Sequence, residues 1–260
     1  MRFGLQLCTL GAFADPRETV RVARAAEAAG WEALLVWDHL RWAASGDASA
    51  DPWVTLGACA AVTERMLLGT AVTPLPRRRP QMLAQELATL SLATGGRVVL
   101  GAGIGGSARE FEAFGEEGGE RVRAAKLDEG LGVLRALLDG GRVDHDGEHY
   151  RVRGVALAPL PVRPIPFWIG GNSPRALHRA ARWDGWLANS SDQTRNTMTP
   201  DEVAAKTAGL GIRDVCVIGY SQQADLAAYA AAGVTWWLEN VWGEPADVLH
   251  RVELGPPALP

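Results

Sequence analysis

The pair Asp38-His39 directly follows the apolar run Ala33 to Trp37, setting a carboxylate and an imidazole side by side. An imidazole titrates near neutral pH, so such a pair suits acid-base work wherever a buried strand delivers it to a cleft. The same two side chains could equally cap and bond the loop they open. The four glycines of Gly101-Ala102-Gly103-Ile104-Gly105-Gly106-Ser107 let backbone approach a flat or anionic ligand closely. In Trp168-Ile169-Gly170-Gly171-Asn172-Ser173-Pro174, two glycines stand beside a capped helix start, an arrangement suited to phosphate. Its plain alternative is a tight strand-helix turn. Arg77, Arg78 and Arg79 follow Thr73-Pro74 and could hold an anionic tail, or form a solvated run before the helix near Pro80. Trp42, on the loop after His39, could stack on a ring-shaped ligand, whereas Trp37, Trp53 and Trp168 read as core or wall.

Other chemistries find less support. Of the five histidines only His145 and His149 are near each other, and they flank a hairpin turn, so no metal site is expected. There is no G-x-S-x-G elbow and no C-x-x-C pair. Cys8, Cys59 and Cys216 are odd in number and embedded in apolar stretches, which points to buried thiols. Lys plus Arg total 26 against 30 Asp plus Glu, and a net charge of -4 gives no footprint for nucleic acid or an anionic membrane. No run approaches the ~20 apolar residues of a membrane span, and the strand-like opening Phe3 to Cys8 is unlike a signal peptide; the expected location is cytoplasmic.

The elements that must position these groups are explicit. Eight apolar runs read as strands: Phe3 to Cys8, Ala33 to Trp37, Met66 to Val72, Arg97 to Ala102, Phe167 to Ile169, Gly185 to Ala188, Val215 to Ile218 and Val234 to Leu238. Asp15-Pro16, Asp51-Pro52, Ser173-Pro174 and Thr199-Pro200 each put a capping oxygen before a proline suited to the first helical turn. Alternating strands and helices in 260 residues predict an α/β fold, a single (β/α)8 TIM barrel spanning residues 1–260. A doubly wound open sheet is the rival, but the first turn, Cys8 to Phe13, has one glycine where a dinucleotide site needs several. The spacing breaks between strands four and five, where an insert holds a helix from about Glu120 to Leu138. A hairpin follows, Arg142 to Asp144 and His149 to Val155, turning at Asp146-Gly147. Strand seven passes almost directly into its helix through Tyr220-Ser221-Gln222. In such a barrel the reactive groups lie at the carboxyl ends of the strands, where Asp38 and His39 stand.

As an ordered set, these segments resemble the bacterial luciferase-like flavin- or deazaflavin-dependent oxidoreductases. The resemblance runs from Phe3-Gly4-Leu5 through Ala28-Ala29-Gly30-Trp31, Trp37-Asp38-His39, Leu68 to Pro74, Leu90 to Leu100 and Pro166 to Ser173. It ends at Arg179 to Trp186; the last seventy residues or so add little. It implies a barrel, commonly a homodimer, that binds coenzyme F420 or FMN at its mouth. Asp38 and His39 look like the pair of the deazaflavin branch, in which the histidine acts on the substrate proton as hydride moves to or from the cofactor. By matching position, Ala71-Val72 would carry a non-prolyl cis bond under the ring, Gly103 would line it, and Gly170, Gly171, Asn172 and Ser173 would meet the phosphate. The expectation is hydride transfer between F420 and a small organic molecule, with Trp42 on the substrate. The alternatives are an FMN-dependent monooxygenase supplied by a separate flavin reductase, and a flavin-binding barrel without turnover. Two departures stand out. Ile104 occupies the position after G-x-G where sugar-phosphate dehydrogenases of the branch carry an acid, and the long insert after strand seven is missing.

Overall fold

A computed structural model describes residues 1–42 and 48–258. In chain order the strands are β1 Arg2–Leu7, β2 Ala33–Val36, β3 Leu67–Thr70, β4 Thr73–Pro74, β5 Val98–Gly103, β6 Val143–Asp146, β7 Arg151–Val155, β8 Phe167–Gly170, β9 Gly185–Ala188, β10 Asp214–Gly219 and β11 Trp236–Val241. The α-helices are α1 Pro16–Ala29, α2 Pro52–Ala60, α3 Pro80–Thr94, α4 Ala108–Ala113, α5 Glu120–Asp139, α6 Pro174–Ala180, α7 Pro200–Thr207, α8 Leu226–Ala231 and α9 Pro245–Glu253. All four proline-marked starts are real: Asp15, Asp51, Ser173 and Thr199 each accept a backbone N–H of their own first turn, and Thr199 forms a full capping box with Glu202.

Parallel pairing runs β3-β2-β1-β11-β10-β9-β8-β5, and β3 pairs back onto β5 at Leu68 with Val98 and Gly69 with Val99. The closure makes an eight-stranded barrel and removes the open-sheet rival. The short β4 lies beside the end of β5. β11 extends past its expected limit at Leu238 to Val241, because Glu239 and Asn240 break the apolar run that sequence reading follows without breaking the ladder. None of the described helices is long and apolar enough to cross a membrane.

Alternation along each strand divides the core in two. Leu5, Leu34, Val36, Leu100, Phe167, Trp186, Val217 and Trp237 face the helices in the larger cluster, whereas Ala33, Leu35, Val99, Trp168, Leu187, Cys216, Ile218, Trp236 and Leu238 form the inner one. Low in that interior the rings of Trp168 and Trp236 lie 5.4 Å apart, and the Arg2 guanidinium covers Trp236 at 4.0 Å. Gly101 admits no larger residue: a Cβ there would collide with the Thr70 carbonyl oxygen.

The insert between β5 and β8 contains α4, α5 and the antiparallel hairpin β6-β7. Glu129 of α5 holds the hairpin, accepting the N–H groups of His149 and Tyr150 at 3.0 and 2.8 Å and meeting His145 Nε2 at 2.9 Å. The His145 ring thus anchors the hairpin to α5, whereas His149 does so through its backbone N–H alone. Arg123, also of α5, donates to the carbonyls of Ile104 and Gly105 at 2.9 and 2.8 Å and ties the insert to the loop after β5.

Candidate active site

His39 leaves the end of β2 with its ring in the barrel mouth and its Nδ1 3.0 Å from Glu110 Oε2. Glu110 comes from α4, a helix absent from the sequence reading. Its carboxylate is buried and also accepts the N–H groups of Leu40 and Arg41, at 2.7 and 3.2 Å, and Arg77 Nη1 at 3.2 Å. Burial opposes ionisation there, but the hydrogen bond and charge of His39, the Arg77 guanidinium and the Arg41 amide outweigh it and hold the carboxyl down at about 2. An ionised carboxylate can only accept, so Nδ1 of His39 carries a proton and Nε2 is left as the ring's exchangeable position. The neighbouring carboxylate makes a different pair. Both oxygens of Asp38 are held by Arg78, Nε to Oδ2 and Nη2 to Oδ1, at 3.0 Å each.

This overturns both readings for Arg77 and Arg78, while Arg79 is exposed as a solvated residue would be. Arg77 is buried, stacked 4.2 Å over Phe111 and paired with Glu110 and Glu116. Arg78 faces Asp38, with Asp51 and Glu86 each 3.6 Å away. Neither is a solvated charge and neither is open to an anionic tail; Arg79 precedes α3.

The mouth encloses a cavity of about 520 Å³. Of the residues singled out in the sequence, Asp38, His39, Trp42, Ala71, Val72, Gly103, Gly170 and Gly171 line it together. The Ala71–Val72 peptide is cis, and the Ala71 carbonyl accepts Gln6 Nε2 at 3.3 Å. Val72 rises between two glycines, for a Cβ at Gly103 or at Gly170 would stand 2.7 Å from its methyl groups. Asn172 and Ser173 lie behind the lining. The Asn172 amide is bonded to the backbone of Asn189, and Ser173 caps α6. Gly171 has φ 119, a conformation that excludes a side chain without strain. Lys206 of α7 donates to the Asn172 carbonyl at 3.3 Å and brings an ammonium to the same turn.

An aromatic wall surrounds His39: Trp42 at 4.9 Å and Trp37 at 5.5 Å between ring centres, with Trp242 edge-on to Trp37 at 4.7 Å. The buried indole N–H groups of Trp37 and Trp242 have no partner. Asn240, also in the lining, donates to Ser191 Oγ and the Tyr220 hydroxyl, each at 3.2 Å. Burial, then the charges of Asp192 and Glu239, push that hydroxyl up to about 12, so it stays neutral. The three thiols are buried, and burial pushes Cys8 up to about 11 and Cys59 up to about 12, so none is a nucleophile.

Sequence reasoning missed Glu110, Lys206, Trp242 and Asn240. The last two were findable as polar or aromatic residues ending an apolar strand. Glu110 was masked, because Ser107-Ala108-Arg109-Glu110 has the spacing of a capping box, yet Ser107 makes no such bond and the carboxylate turns to His39.

Residues 2–239 match the family described as luciferase-like monooxygenase. The chain belongs to this family. It is 37% identical over 180 residues to an F420-dependent glucose-6-phosphate dehydrogenase of Nakamurella multipartita, covering 67% of this chain and 52% of that one. The chain thus spans about half the length of the curated relatives it matches. Among solved structures it is similar to an F420-dependent secondary alcohol dehydrogenase in complex with an F420-acetone adduct, at TM-score 0.83 and 17% identity over 100% of this chain and 99% of that one. A monooxygenase from Streptomyces bottropensis superposes at TM-score 0.78, with 20% identity over 98% and 97% of the two chains. Luciferase-like barrels thus share this architecture across different chemistries, and the side chains at the mouth must discriminate between them.

Proposed function

We propose that the chain is an oxidoreductase that moves a hydride between coenzyme F420 and a small organic molecule, with His39 exchanging the accompanying proton. The observation that carries this is the bond between His39 Nδ1 and the ionised Glu110, which fixes the imidazole tautomer and leaves Nε2 for substrate. The relatives named as F420-dependent support the choice of cofactor.

The residues present fit such a group. The cavity accepts a flat ring, Val72 rises between Gly103 and Gly170 as a support for one, and the orphaned indole N–H groups offer donors. Gly170, Gly171, Asn172 and Ser173 would shape the turn that receives the phosphate, with Lys206 supplying the charge that Arg77 and Arg78 do not. When bound, a deazaflavin supplies a ring that accepts or returns a hydride. His39 would move a proton at Nε2, Glu110 would hold the ring and stabilise its charged form, and Trp42 would lie against substrate. Asp38 acts through Arg78, as a positioning residue. The homodimer belongs to the same reading.

Titrating purified protein with F420 and, separately, FMN, read by ring fluorescence, tests the proposal. F420 is expected to bind more tightly, and His39→Ala to lower turnover by roughly 10²–10⁴-fold with that affinity retained. Tighter binding of FMN, with oxygen consumed when reduced FMN is supplied, would make a monooxygenase the better reading. F420 binding without turnover of any alcohol or ketone would favour a non-catalytic barrel.

A further inference from the structure

Among the described residues the cavity lining carries the carboxylates of Asp38, Glu110 and Asp192 and the imidazole of His39, but no ammonium or guanidinium group. The two guanidiniums nearest the carboxylates are committed to them: Arg78 to Asp38, and Arg77 to Glu110 and Glu116. A phosphorylated substrate entering here would lose hydration and meet no Lys or Arg in exchange. The remaining wall is apolar. Trp37, Trp42 and Trp242 stand around His39, with Ile104, Leu187 and Ile218 among the other lining residues. Where a branched or ring-shaped hydrocarbon body packs against that wall, each buried methylene contributes about 0.8 kcal/mol.

We propose that this chain takes an uncharged secondary alcohol or ketone with an apolar body, and that it discriminates against the sugar phosphate of the glucose-6-phosphate dehydrogenases it is similar to. The inference rests on the oxidoreductase reading above. For cyclohexanol the balance is a hydride from the carbinol carbon to oxidised F420 and the hydroxyl proton to His39 Nε2, leaving cyclohexanone and reduced F420. The aromatic wall holds the ring, and the absence of Lys and Arg from the described lining sets the preference.

Gly106 offers a way to reverse that preference. It lines the cavity, and a Cβ built there has one neighbour within 4 Å, His39 Cε1 at 3.9 Å, so a longer side chain has room. Gly106→Lys would place an ammonium beside the site.

The experiment measures binding of cyclohexanone and of glucose 6-phosphate by calorimetry and tryptophan fluorescence, with and without F420, alongside turnover of cyclohexanol and glucose 6-phosphate. Cyclohexanone is expected to bind at least tenfold more tightly than glucose 6-phosphate. Trp242→Ala should weaken cyclohexanone about tenfold, and Gly106→Lys should strengthen glucose 6-phosphate about tenfold. Equal or tighter binding of glucose 6-phosphate by the unmodified protein, or no binding of cyclohexanone, overturns the proposal whether or not either variant folds. Failure to bind F420 sinks the oxidoreductase reading instead, and the ranking of the two probes on cofactor-free protein still decides the proposal.

Discussion

Arg78 grips Asp38 through two parallel hydrogen bonds of 3.0 Å, so the carboxylate next in sequence to His39 serves a guanidinium while the imidazole is served by Glu110, seventy-one positions along the chain. The two pairs sit on one side of the mouth, and each can be broken separately.

Asp38→Asn keeps the shape of the side chain and removes its charge. Arg78 then keeps at most one hydrogen bond there, to the amide oxygen, and its nearest carboxylates are Asp51 and Glu86, 3.6 Å away. Losing a mostly buried charge partner should cost about 2 kcal/mol, below the figure for a fully buried pair because these neighbours remain. Urea unfolding of the purified variant gives the number, and an unchanged midpoint would show that the pair contributes nothing.

Glu110→Gln should reduce turnover about ten- to hundredfold with F420 affinity unchanged, since the amide cannot stabilise a protonated His39 as an anion does. The same variant has an acid signature. The Glu110 carboxyl is held down at about 2 in the folded chain, below the unfolded value of about 4.3. It therefore contributes stability that is complete above roughly pH 5 and lost as pH falls toward 2, on the order of 3 kcal/mol. Unfolding followed between pH 6 and 2 should show a shallower loss in Glu110→Gln than in the unmodified protein.

Lys206→Ala tests the charge at the Gly171 turn. An ammonium with partial solvent access contributes up to about 1 kcal/mol, so the F420 dissociation constant should rise about two- to fivefold at low salt, with the difference shrinking as salt is added. Alanine at Arg79 should leave that salt dependence unchanged. The reverse pattern would relocate the phosphate.

Gly101→Ala adds one methyl group where the Thr70 carbonyl already lies. The strands cannot separate there without breaking the β3-β5 closure, so a loss of about 3 kcal/mol or more is expected, read as a lowered Tm or as insoluble protein.

How much of this was legible from residue order depends on how far apart the partners lie. The barrel was readable because its strands announce themselves locally as apolar runs and four of its helices start at an Asp-Pro, Ser-Pro or Thr-Pro step. The Gly170 turn and His39 were readable because they follow strand ends, whereas the Ala71-Val72 bond, placed within the expected third strand, came only through the family resemblance. Glu110 was not, because nothing local distinguishes a carboxylate that caps its own helix from one that crosses to another loop. Arg77 and Arg78 failed for a related reason: three consecutive arginines look solvated until the acids facing the first two, Glu86 of α3, Glu110 of α4 and Asp38, Asp51 and Glu116 of the loops, are brought in by the fold.

Trp168 and Trp236, tilted against each other with Arg2 over Trp236, fill the barrel interior below the cavity. On the proposed reading, arrivals and departures would share the rim on which His39 and Trp42 stand. Whichever of two reactants settled deeper would then wait for the other to leave, a queue in which the first molecule in is the last one out.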